Sequence, residues 1–140
     1  MKKFLEILLI TTMLLFFSLS CREEVIEPNI FVENVNDPVQ LNERNSYTFL
    51  LNANSFSMDL TVFPFINSSR SRISVTLIDY QAGYAKLTIQ DYDNRERYTY
   101  FAAEDISLYT DIIDGYIPES VIIRTEDFSG KIKIELRKSL

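Results

Sequence analysis

Between Tyr47 and Leu136 the apolar residues recur at every second position, and that period constrains the fold more than any other feature. An extended chain points its side chains alternately to two sides, so a period of two marks strands that bury one face. Tyr47, Phe49, Leu51 and Ala53 form one such stripe, and Phe56, Met58, Leu60 and Val62 form a second. Asn54-Ser55 between them has turn chemistry, which predicts a hairpin. Ile73, Val75 and Leu77, then Ala85, Leu87 and Ile89, predict a second hairpin around Gln81-Ala82-Gly83. Tyr98 and Tyr100, Val121 and Ile123, and Ile132, Ile134 and Leu136 supply the remaining stripes, with turns expected at Asp93-Asn94 and Ser129-Gly130.

One stretch departs from this rhythm. Ala102, Ala103, Ile106, Tyr109, Ile112 and Ile113 recur at three- and four-residue intervals before Gly115, which predicts a short helix or helical loop. Short strands with turns about every ten residues predict an all-β fold. The expected form is an antiparallel β-sandwich of about seven to eight strands, with a small up-and-down β-barrel as the alternative.

The beginning of the chain follows other rules. Met1-Lys2-Lys3 is basic, Ile7 to Phe17 is apolar except for Thr11 and Thr12, and Ser18-Leu19-Ser20 places small residues before Cys21. This is the three-part form of an export signal, and its apolar run is shorter than the roughly 20 residues of a membrane-spanning helix. Residues 1–20 therefore read as a signal peptide and 46–140 as the β-sandwich domain. Residues 21–45, with Pro28 and Pro38, read as a tether containing an edge strand from Ile30 to Val35.

Ser18-Leu19-Ser20-Cys21 resembles the lipobox of bacterial lipoproteins, in a relaxed form with Ser and Leu at its first two positions. The resemblance implies cleavage before Cys21 and acylation of that cysteine, hence a protein held to the membrane by palmitate-type chains. Arg22 replaces the Asp that retains such proteins at the inner membrane, so outer-membrane placement in the bacterial cell envelope is implied. Arg22-Glu23-Glu24 is similar to the surface-export tag of Bacteroidota lipoproteins. Within the mature chain, Met58 to Asp91 with Gly83, Gly115-Tyr116-Ile117-Pro118 and Phe128-Ser129-Gly130 resemble pre-peptidase C-terminal domains. Those are non-catalytic β-sandwich accessory modules.

Composition narrows the chemistry. The chain has one cysteine and no histidine, so an internal disulfide, Ser-His-Asp catalysis and His-containing zinc sites are excluded. Lys and Arg number 14 against 20 Asp and Glu, and a net charge of −6 disfavours nucleic acid as a partner. Three glycines build no phosphate cradle, and no cofactor is expected.

Three groups of side chains remain as candidates. Asp91, Asp93, Asn94 and Glu96 have the alternating oxygens of a calcium loop, though the same residues make ordinary hairpin turns. Asp59 and Asp79 are the only strand carboxylates to consider as an acid and base pair for a hydrolase. Among the crowded tyrosines, Tyr80, Tyr84 and Tyr92 lie near turns and suit contact with a protein or glycan, whereas Tyr98 and Tyr100 share one face and suit the core. The expected function is a non-catalytic, lipid-anchored envelope module that binds through its turn-end loops. The alternative is an acidic inhibitor or chaperone-like lipoprotein that meets a cationic protein.

Overall fold

The structure is a computed structural model that describes residues 34–139, so Cys21, the signal stretch and most of the expected edge strand lie outside the described residues. The described chain forms one antiparallel sheet of six strands: β1 (Val39–Glu43), β2 (Ser46–Val62), β3 (Arg70–Gln90), β4 (Glu96–Ala102), β5 (Ile106–Asp114) and β6 (Ser120–Lys138). The order is β1-β2-β6-β3-β4, and β5 joins the same edge of β3 as β4. The all-β antiparallel class holds, and the sheet is not closed into a barrel.

Three of the strands are too long to be straight in so small a protein. β2, β3 and β6 have 17, 21 and 19 residues, which at about 3.3 Å per residue would extend roughly 56, 69 and 63 Å. Yet Asn45, just before β2, donates its amide to the carbonyl of Phe65, just after it, at 2.8 Å. The two ends of β3 are likewise joined: Gly115 donates to Ser69 and Glu119 to Gln90, both at 2.9 Å. Each long strand is therefore a U, and the sheet is folded across its middle so that its two halves face one another.

The fold line is written in the backbone. In β2 it falls at Ser55 (φ 48), in β6 at Asp127 (φ 44), and in β3 at Asp79 (φ 55) and Gly83 (φ 73). Pairing shifts register at these points, so they are β-bulges. Each extra residue exchanges the two faces of its strand. In β2 the inward set passes from Tyr47, Phe49, Leu51 and Ala53 to Phe56, Met58, Leu60 and Val62. In β6 it passes from Val121 and Ile123 to Phe128, Ile132, Ile134 and Leu136. β3 carries two extra residues and ends on the parity it began with, Ile73, Val75 and Leu77 matching Ala85, Leu87 and Ile89. The result is one continuous core from both halves. Side-chain hydrogen bonds stitch the bulges: Ser55 N–H to Ser129 Oγ at 2.8 Å, Asp127 N–H to Ser57 Oγ at 2.9 Å, and Thr125 Oγ1 to the Phe56 carbonyl at 2.9 Å.

Several expectations are corrected here. The turns expected at Asn54-Ser55, Gln81-Ala82-Gly83 and Ser129-Gly130 are bulge regions inside long strands, because positive-φ tolerance serves a bulge as well as a turn. Two predicted hairpins are thus single strands, and six strands replace seven to eight. The expected helix is β5: a register shift sets Ile106 and Tyr109 three residues apart on the inward face, while Leu108 and Ile112 are exposed. Among the described residues there is no helix. The turn at Asp93-Asn94 does join β3 to β4.

Gly83 is where the fold line has least room. A Cβ there would lie 2.2 Å from the Glu126 carbonyl oxygen and 2.4 Å from Asp127 backbone atoms. Gly83→Ala is expected to cost about 2–4 kcal/mol, since both a positive φ and a backbone collision oppose it. Gly115→Ala, at φ +87 but with open space around it, should cost only about 1 kcal/mol. Denaturant melts of the two variants check the difference.

Candidate functional site

Folding the sheet brings all of its strand ends except those at the bend to one loop end. The β1–β2 turn, the 63–69 connection, the 91–95 hairpin, the 115–119 connection and the end of β6 meet there. Asn45, held at φ 62 in the turn, is its hub. Its amide donates to Phe65, its carbonyl accepts from Lys138 N–H at 3.0 Å, and its Oδ1 accepts from Asn67 N–H at 3.0 Å. Asn42 adds a second clasp, donating from Nδ2 to the Phe63 carbonyl and accepting from Phe65 N–H. The 63–67 segment is therefore fixed in extended form, with Pro64 and Ile66 buried and Phe63 and Phe65 turned outward. The polar stretch Asn67-Ser68-Ser69 continues this connection.

Among the described residues three aromatic side chains are more than three-fifths exposed, Phe63 at 63%, Phe65 at 67% and Tyr92 at 68%, and all three stand at this end. Most other aromatic rings of the described residues are buried or half-buried. Tyr92 tops the β3–β4 hairpin, which Asp91 organises: its Oδ1 accepts from Asp93 N–H and Arg95 N–H, both at 3.0 Å, and its Oδ2 pairs with Arg97 at 3.3 Å.

The residues singled out from sequence are dispersed. Tyr80 belongs to the bend, where its hydroxyl donates to the Gly83 carbonyl at 3.0 Å and its amide to Asp105 at 2.8 Å. Tyr84 lies on the outer face of the other side of the bend, stacked on Phe101 with ring centroids 4.8 Å apart, and donates to Glu126 at 2.5 Å. That hydrogen bond raises the Tyr84 pKa. Eight residues of extended chain, about 26 Å, separate Tyr84 from Tyr92, so the three tyrosines do not form one surface. Asp91, Asp93, Asn94 and Glu96 share the hairpin, but among the described residues no three acidic side chains gather as a metal-holding group. Asp59 pairs with Arg124 on an outer face, and Asp79 pairs with Lys131 at 2.6 Å beside a shallow hollow of about 400 Å3 at the bend. Asp59 does not line that hollow.

Sequence reasoning missed Phe63, Phe65 and Asn45. The alternation Phe63-Pro64-Phe65-Ile66 was a usable signal, because with Pro64 and Ile66 inward the two phenylalanines must point out.

Tyrosines also close the seam between the two halves along β4 and β5. Tyr98 donates to Tyr109 at 3.3 Å, Tyr109 to Asp111 at 3.1 Å, and Tyr100 stacks on Tyr109 at 4.2 Å. Arg97 lies 5.1 Å above the ring of Tyr116, whose hydroxyl has no hydrogen-bond partner among the described residues. Burial pushes Tyr116 up to about 12 from 10.0, and burial with the Tyr109 hydrogen bond raises Tyr98 further. The folded chain thus holds these phenolic protons more tightly than the unfolded chain does. The stability contributed by these phenols should be fully present below pH 10.0 and be lost from there through about pH 12 as the unfolded state loses protons. Tyr116→Phe should flatten that decline, which melts recorded between pH 9 and 12 can measure.

No protein-family model matches the chain, and no curated protein matches it. Among solved structures, a chain of the Bacillus endospore appendages, a family of disulfide-linked pili, aligns at a TM-score of 0.40 and 13% identity. The alignment covers 87% of this chain and 97% of that one.

Proposed function

We propose that the protein is a non-catalytic, lipid-anchored module of the bacterial cell envelope that binds its partner through the loop end. The observation that carries the binding surface is the exposure of Phe63, Phe65 and Tyr92 together at that end, on segments fixed by Asn42, Asn45 and Asp91. Exposed aromatic side chains on a rigid support lose little entropy when covered, and aromatic residues dominate binding energy at interfaces. The signal-like stretch and the lipobox-like Ser18-Leu19-Ser20-Cys21 support the anchor. The carboxylates considered for hydrolysis support a non-catalytic role, because Asp59 and Asp79 each hold a different cation and face no common cleft.

On this reading Cys21 carries the lipid, Arg22 favours the outer membrane, and the acidic loop-borne groups serve solubility. Metabolic palmitate labelling should disappear in Cys21→Ser; persistent labelling would contradict the anchor. Capture of envelope components by the full chain should fall about tenfold or more when Phe63, Phe65 and Tyr92 are all changed to Ser. Undiminished capture would remove the loop end as the binding surface.

A further inference from the structure

The cations of the described chain are not evenly satisfied. Arg95, Arg97, Arg124, Lys131, Lys133 and Arg137 are ion-paired with carboxylates. Of the five others, only Lys86 lies away from the loop end. Arg44 adjoins Asn45 in the β1–β2 turn, Arg70 and Arg72 open β3, and Lys138 closes β6. All four are exposed and make no ion pair among the described residues.

Backbone bonds place them together. Lys138 N–H reaches Asn45, Ser139 N–H reaches Arg70, and Arg72 stands opposite Arg137 in the β3–β6 ladder. Arg72, Arg137, Lys138 and Ser139 line one open hollow of about 280 Å3. Glu43, Asp114 and Glu135 are the carboxylates on this rim, and Glu135 is occupied by Lys133 and Arg137. Across the loop end, Asp91 and Asp93 are paired with Arg97 and Arg95, while Glu96 and Glu119 make no ion pair among the described residues. Among the described residues, four of the five cations without an ion pair thus stand at the end that carries the exposed Phe63 and Phe65, in a chain of net charge −6.

We infer that this end docks on an anionic phospholipid surface, with Phe63 and Phe65 in the interfacial layer and Arg44, Arg70, Arg72 and Lys138 against lipid phosphates. The inference rests on the loop end being the binding surface and does not require a lipid on Cys21. Protein hot spots are buried in complementary pockets, but here the rings stand exposed on the 63–67 segment, and a hollow at the same end is lined by Arg72, Arg137 and Lys138. A fluid headgroup layer supplies hydrocarbon for the rings and phosphate for the cations without shape matching. Long Arg and Lys stems can lie along the apolar boundary while their charges stay at the phosphates. The acidic groups across the end tilt the molecule onto its basic rim.

The chain contains no tryptophan, so Phe65→Trp in the full chain gives a single indole at the docking point, excited selectively over the eight tyrosines. Its emission should shift to shorter wavelength and be quenched by brominated acyl chains on phosphatidylglycerol-containing vesicles. The response should be much weaker on phosphatidylcholine vesicles. Adding Arg70→Gln and Arg72→Gln should weaken partitioning about tenfold or more, with the melting temperature unchanged. An equal response on both vesicle types, or none on either, overturns the inference. A shift with envelope-protein extract but not with vesicles also overturns it while leaving the loop end as a binding surface. No shift with either removes that surface as well.

Discussion

The structure depends on the alignment of bulges across three neighbouring strands. One bulge bends a strand locally, but Ser55, Asp127 and the Asp79–Gly83 segment lie side by side, so the whole sheet bends along one line. Without that line β2, β6 and β3 would form an open layer with a large apolar face in water. With it, Tyr47, Phe49, Leu77, Leu87, Ile123 and Leu136 all become solvent-free in one core. The burial of that face is the main stabilising term, and each large side chain fully removed from water contributes about 1.5–3 kcal/mol. No disulfide shares this task, since the chain has one cysteine.

The same bend creates the loop end. Segments distant in sequence, residues 44–45, 63–69, 91–95, 115–119 and 138–139, become neighbours because each long strand returns to where it began. Asn45 makes the junction rigid by using its amide, its carbonyl and its side-chain oxygen on three different partners. On the opposite edge the tyrosine seam joins β4 to β5, which pair with different halves of β3. The fold thus places its apolar content inside, its polar aromatic residues along a seam, and a few unpaired aromatic and cationic groups at one tip.

Much of this was legible in the sequence. The alternating stripes correctly mark most of the strand segments and most of the core residues, because a half-buried strand must alternate, while Leu50, Ile66, Ala102, Ile113 and Phe128 fall outside them. The Asp93-Asn94 turn was legible for the same chemical reason that it forms, Asp91 capping the amides that follow it. What the stripes do not reveal is whether a change of phase is a turn or a bulge. Asn54-Ser55 and Gly83 suit either, and only long-range pairing with β6 decides. β5 was hidden because its bulge and its outward Leu108 and Ile112 imitate a helical interval. The tip was hidden for a different reason: Arg44, Arg70, Arg72 and Lys138 are scattered along the chain and meet only after folding.

The continuity of β2 through Ser55 separates a folded single sheet from a set of hairpins. Nuclear Overhauser contacts between backbone protons test it directly. Pairing of Leu51 with Ile132 and of Met58 with Thr125 is the predicted result. Cross-strand contacts between Leu51 and Met58, as a turn at Asn54-Ser55 would produce, would contradict it.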